Sequence, residues 1–112
     1  MPPIREVDVA TPPLTTTDVQ YVVVSDEDLE KPYRIIIRND DVTPMDFVVI
    51  VLQSFFELSV NRAYDVMIEA HTNGHAYVMS LPLQEAQDRI YAAHSAAREV
   101  GYPLTFYLEP ED

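Results

Sequence analysis

Arg34-Ile35-Ile36-Ile37-Arg38-Asn39-Asp40-Asp41-Val42-Thr43-Pro44-Met45 is the stretch from which the rest of the chain can be read. A β-branched run of strand length, Tyr33 to Arg38, ends in three short polar residues whose side-chain oxygens compete with ladder hydrogen bonds. Pairing should stop there. Thr43 then has the character of an N-cap, Pro44 suits the first helical position, and Asp46 three residues after Thr43 resembles a capping box. A strand therefore delivers Asn39, Asp40 and Asp41 to a loop pinned by a helix start.

Working outward, Pro44 to about Glu57 predicts a strongly apolar helix. Met45, Phe47, Val48, Val49, Ile50, Val51, Leu52, Phe55 and Phe56 cover most of its circumference, as expected of a central helix buried on more than one side. Ser59 offers an N-cap for a second helix from Val60 to about Asn73, with Gly74 as its stop. His75 to Ser80 alternates and is rich in β-formers. Pro82 opens a third helix to about Val100, with Leu83, Ala86, Ile90, Ala93 and Ala97 at helical spacing and Gly101 at its end. Leu104 to Leu108 predicts a third strand. The order β-α-α-β-α-β points to an α+β fold, a compact sandwich of a three-stranded antiparallel sheet and three helices.

In the other direction, residues 1 to 31 read as a flexible N-terminal extension. Its prolines, the Thr15-Thr16-Thr17 run and the acidic Asp26-Glu27-Asp28-Leu29-Glu30 segment supply few groups to bury. Tyr21-Val22-Val23-Val24 is a β-prone exception, readable as a strand, a docking motif or neither. Residues 32–112 are then the folded domain.

Composition bounds the function. At 112 residues and 47% hydrophobic content, the chain suits one domain with one modest core. It has no cysteine, no apolar run near the ~20 residues that span a bilayer, and no basic-then-apolar leader. A cytoplasmic protein is the expectation. The net charge of -12, with Lys31 the one lysine, opposes nucleic-acid binding and favours cationic or amine-bearing partners.

Met67, Ala70 and His71 stand at i, i+3 and i+4, hence on one helical face. If that face meets the Asn39-Asp40 loop, a small apolar hole acquires a rim of amide oxygen, carboxylate and imidazole. Such a rim suits a primary ammonium, whose three N–H donors match three acceptors, one of them charged. The competing reading makes Asn39 to Asp41 a simple turn and His71 a helix-end side chain. Zinc is disfavoured, because Gly74 separates His71 from His75 and no catalytic Glu lies between them. Without cysteine, a Gly-x-Ser-x-Gly elbow or a phosphate loop, the sequence offers no enzyme chemistry, and no cofactor is expected.

The motifs Asn39-Asp40-Asp41-x-Thr43-Pro44-Met45-x-Phe47-Val48 and Val51-Leu52-Gln53-x-Phe55-Phe56, then Arg62-Ala63, Met67, His71, Pro103-Leu104 and Leu108-Glu109, resemble the ClpS adaptor family of the bacterial N-end rule pathway. The resemblance covers about residues 33 to 109. It implies an adaptor that binds destabilising N-terminal Leu, Phe, Tyr or Trp and delivers the substrate to the N-terminal domain of a ClpA or ClpC AAA+ unfoldase working with ClpP. By this resemblance Asn39, Asp40 and His71 would hold the α-amino group and first peptide unit, with Asp41 and Thr43 supporting the loop. Met45, Val48, Met67, Ala70 and Leu104 would line the side-chain pocket, with Met45 as its gate. Many members carry Val at the place of Ala70, so a roomier pocket is expected here. The docking face falls on Gln84, Glu85 and Arg89, where the family's acidic position is shifted or lost. The extension would be the segment engaged during hand-over, and a monomer is expected. The alternative is a ClpS-like module that docks on the unfoldase and inhibits or retargets it without reading N-termini.

Overall fold

The run of three isoleucines forms the middle of the sheet. In the computed structural model, which describes residues 31–111, strand β1 spans Pro32–Arg38 and pairs antiparallel with β2 (His75–Pro82) on one side and β3 (Thr105–Pro110) on the other. The helices are α1 (Met45–Phe56), α2 (Val60–Asn73) and α3 (Leu83–Glu99), so the chain runs β-α-α-β-α-β as an α+β domain. Residues 1–30 of the predicted extension, with its Tyr21-Val24 patch, lie outside the described residues.

A continuous isoleucine run, with no polar alternation, fits a strand covered on both faces. Ile35 and Ile37 enter the core formed with the helices. Ile36 points the other way, as strand geometry requires, yet is only 2% exposed. Its cross-strand partners are Tyr77 and Tyr107. The Arg34 guanidinium lies 4.6 Å from the centre of the Tyr77 ring and that of Arg38 5.2 Å from the Tyr107 ring, so cation–π contacts extend this outer layer. The β1–β2 register shifts between Ile35, opposite Met79, and Ile36, opposite Tyr77, which leaves Val78 as the extra residue of a bulge.

On the inner face, Val51, Leu52 and Phe56 of α1 meet Ala63 and Val66 of α2 and Ala86, Ala93 and Ala97 of α3. Small residues on α3 let it approach closely. Helix α1 packs against both other helices, although its Ile50 remains exposed. Ser59 caps α2 by accepting the Arg62 N–H, and Gly74 ends it at φ 90° with its N–H on the Ala70 carbonyl. Glu57 ends α1 in the left-handed region at φ 57°, without a glycine to signal it.

The start of α1 differs from the sequence expectation. Pro44 takes the N-cap position in an extended conformation and makes no side-chain cap bond. Proline disfavours helical geometry in the residue before it, so Thr43 stays outside the helix. Its hydroxyl donates to Asp40 instead of accepting from the first turn. Asp46 accepts the adjacent Phe47 N–H and closes no capping box.

Candidate functional site

Beside the end of β1, the loop after it, the start of α1 and the last turn of α2 enclose a cavity of about 150 Å³. Each element contributes for a local reason. The strand stops at Asn39, whose N–H donates to the Gly74 carbonyl at 2.9 Å. That bond ties the loop to the left-handed turn ending α2, one turn beyond His71. Only a residue tolerant of positive φ places that carbonyl there, which is what Gly74 supplies.

Asp40 organises the loop. Its Oδ1 accepts the N–H groups of Val42 (2.9 Å) and Thr43 (2.6 Å), and Oδ2 accepts the Thr43 hydroxyl (2.9 Å). Burial works against its charged form, but the Thr43 and Val42 amides, the Thr43 hydroxyl and the positive Arg98 outweigh that, holding the carboxyl below the ordinary carboxylate range. Asp40 is therefore an anion at neutral pH. A carboxylate has about four acceptor positions, and Oδ2, with one bond, keeps capacity for an outside donor.

The lining comprises Asn39, Asp40, Asp41, Thr43 and His71 on the polar side and Met45, Val48, Met67, Ala70 and Leu104 on the apolar side. Val48, Met67, Ala70 and Leu104 are buried, whereas Met45 is half exposed. Ile37 and Arg38 also line the cavity and were missed in the sequence. Their position as the last strand residues before the loop was the available signal. Gln84, Glu85 and Arg89 do not line the cavity. Gln84 bonds Asp88 at 3.0 Å, and Arg89 pairs with Glu85 at 3.0 Å while its Nη1 donates to the Phe55 carbonyl at 3.3 Å, near the end of α1.

Among the described residues no cluster of three or more His, Asp or Glu is placed to hold a metal. His71 ends a helix and His75 begins a strand, with the Gly74 turn between them. No helix among the described residues is long and apolar enough to cross a membrane. The site offers what binding requires: an apolar recess, an anionic acceptor and further polar groups along its lining.

Residues 28–107 match the family described as ATP-dependent Clp protease adaptor protein ClpS. A relative from Mesorhizobium japonicum, ATP-dependent Clp protease adapter protein ClpS 2, is 38% identical over 100 residues, covering 89% of this chain and 99% of its own. ATP-dependent Clp protease adapter protein ClpS 1 of Bradyrhizobium diazoefficiens is 36% identical over 107 residues, covering 94% and 98%. Among solved structures, that of Agrobacterium tumefaciens ClpS2 bound to L-phenylalaninamide matches with TM-score 0.70 and 36% identity, covering 73% of this chain and 99% of that one.

Proposed function

The chain belongs to the ClpS family of Clp protease adaptor proteins, not to an enzyme family, and from that premise we propose that it binds the N-terminal residue of N-degron substrates and delivers them to ClpA or ClpC for degradation by ClpP. The observation that carries this reading is the union, in one cavity, of an apolar floor with an ionised Asp40 flanked by Asn39 and His71. A substrate N-terminus presents the same two features on one residue, a side chain and a cationic amine.

The α-ammonium donates to Asp40, the Asn39 side-chain oxygen and the His71 imidazole, while Asp41 and Thr43 support the loop. The first side chain enters between Val48, Met67, Ala70 and Leu104, past Met45. A cavity of about 150 Å³ is large enough for a benzene-sized ring. Phenylalaninamide, the ligand of the solved relative, joins a free amine to such a ring. Branching at Cβ would crowd Met45, so Leu, Phe, Tyr and Trp are the intended residues.

The unfoldase contact belongs to the surface of Gln84, Glu85 and Arg89 at the start of α3, away from the cavity, so substrate and unfoldase can be held together. Residues 32–112 serve as the recognition core and residues 1–31 as the segment engaged during hand-over, in the cytoplasm and as a monomer. Reconstituted degradation tests delivery. A reporter beginning with Phe should be consumed faster by ClpA–ClpP or ClpC–ClpP when the chain is present, and a reporter beginning with Val should not. Equal effects on both reporters would contradict delivery and favour the docking-only module.

A further inference from the structure

Arg98 lies in the last turn of α3 and does not line the cavity, yet it holds part of the wall. Its Nη1 donates to the carbonyls of Tyr102 at 2.9 Å and Leu104 at 2.8 Å. A cation suits this place, since the chain leaving a helix C-terminus presents carbonyl oxygens that its own backbone leaves free. Leu104 is 1% exposed and closes the apolar side of the cavity. The pairing of β3 with β1 begins at Thr105, one residue too late to fix Leu104 itself.

Two neighbouring contacts frame this strap. The Phe106 N–H donates to His94 Nε2 at 2.9 Å, and the Tyr102 ring packs edge-on against Phe47 of α1, with centroids 4.9 Å apart. The 102–106 segment is thus hung from α3 at both ends, and Arg98 supplies the bond nearest the wall residue. The same guanidinium attracts the Asp40 carboxylate at the rim. The other charged or titratable groups on the cavity are Arg38 at the end of β1, Asp41 in the loop and His71 at the end of α2.

We propose that Arg98 is a positioning residue for ligand binding, which fixes the Leu104 wall of the cavity through the backbone carbonyls of Tyr102 and Leu104. One side chain outside the cavity then sets its apolar fit. The inference rests on the reading of this cavity as the N-terminal-residue pocket, but its first test does not. Two variants test it: Arg98→Gln ends two bonds short of Nη1 and carries no charge, and Arg98→Lys keeps the charge on a side chain ending one bond short of Nη1.

In the ligand-free full chain, the methyl signals of Leu104 in NMR spectra report the effect. Both Arg98→Gln and Arg98→Lys should shift them and should reduce the preference for Phe over Ala peptides severalfold. Thermal melts of both variants register any general loss of fold, which would weaken both peptides alike and leave the preference unchanged. Wild-type Leu104 signals in both variants would overturn the proposal. If the wild-type chain binds no Phe peptide, the pocket reading falls, while the ligand-free signals still decide whether Arg98 governs Leu104.

Discussion

Asp40 grips Thr43 twice, through the Thr43 N–H at 2.6 Å on Oδ1 and the Thr43 hydroxyl at 2.9 Å on Oδ2. Among the described residues Thr43 is the one polar residue in the buried set, at 9% exposure. The pair fixes the orientation of a carboxylate before any ligand arrives, so ligand binding need not include the cost of ordering it.

Thr43→Val keeps the shape of the side chain and removes the donor to Oδ2. Hydrogen bonds to charged groups are worth about 1.5–3 kcal/mol when buried, and partial exposure here places the expected loss near ~1–2 kcal/mol. Urea denaturation measures it. Thr43→Ser, which retains the hydroxyl, should lose clearly less; equal losses would show that the methyl group matters as much as the bond.

Acid should expose the same carboxylate. The folded pKa of Asp40 is lowered relative to its unfolded value, about 3.9 for a free side chain. Its contribution to stability is therefore complete above roughly pH 4 and is lost as pH falls through the folded pKa. Asp40→Asn should be less stable than wild type at neutral pH and should show a shallower decline as pH falls below about 4. Parallel declines would contradict the assignment.

His94 acts in a higher window. Burial first, and the positive Arg98 second, lower its pKa, and its Nε2 must be unprotonated to accept the Phe106 N–H. The unfolded state takes up the proton near pH ~6.5 before the folded state does, so stability falls as pH drops below that value and levels off below the folded pKa. His94→Gln can accept the same N–H without titrating. Its urea midpoint should change less between pH 7.5 and 5 than that of the wild type.

Ala70 sets the room in the cavity. It is 2% exposed and lines the recess, so Ala70→Val adds two methyl groups where a ligand side chain would lie. A methylene in an apolar pocket is worth about 1–3 kcal/mol, and the larger ligand should suffer more. Affinity for a Trp peptide should fall by roughly tenfold relative to that for a Leu peptide. An unchanged ratio would mean that Ala70 does not limit pocket size.

The features legible in the sequence were those carried by near neighbours. Ser59 and Gly74 mark the ends of α2 through local bonds, and the i, i+3, i+4 spacing of Met67, Ala70 and His71 follows from helix geometry alone. The strand-to-loop change at Asn39 was equally local. Thr43 was misread because two neighbours compete for it: Pro44 keeps it out of the helix, and Asp40 offers its hydroxyl a charged acceptor in place of the first-turn N–H from which it was expected to accept. Long-range partners left no local trace. Ile36 is covered by Tyr77 and Tyr107, far along the chain, and the Val78 bulge exists only in the pairing with β1. Arg98 reads as an ordinary helix-end cation until the fold brings Leu104 beneath it.

The central claim is that the cavity reads a free N-terminal amine. Fluorescence anisotropy with peptides beginning in Phe, Leu, Trp, Val, Met and acetyl-Phe, repeated with Asp40→Ala and His71→Ala, tests it most directly. The account predicts binding of the Phe, Leu and Trp peptides, weak binding of Val, loss on acetylation and marked weakening in both variants. Equal affinity for the Phe and acetyl-Phe peptides, or no binding by any peptide, would contradict it.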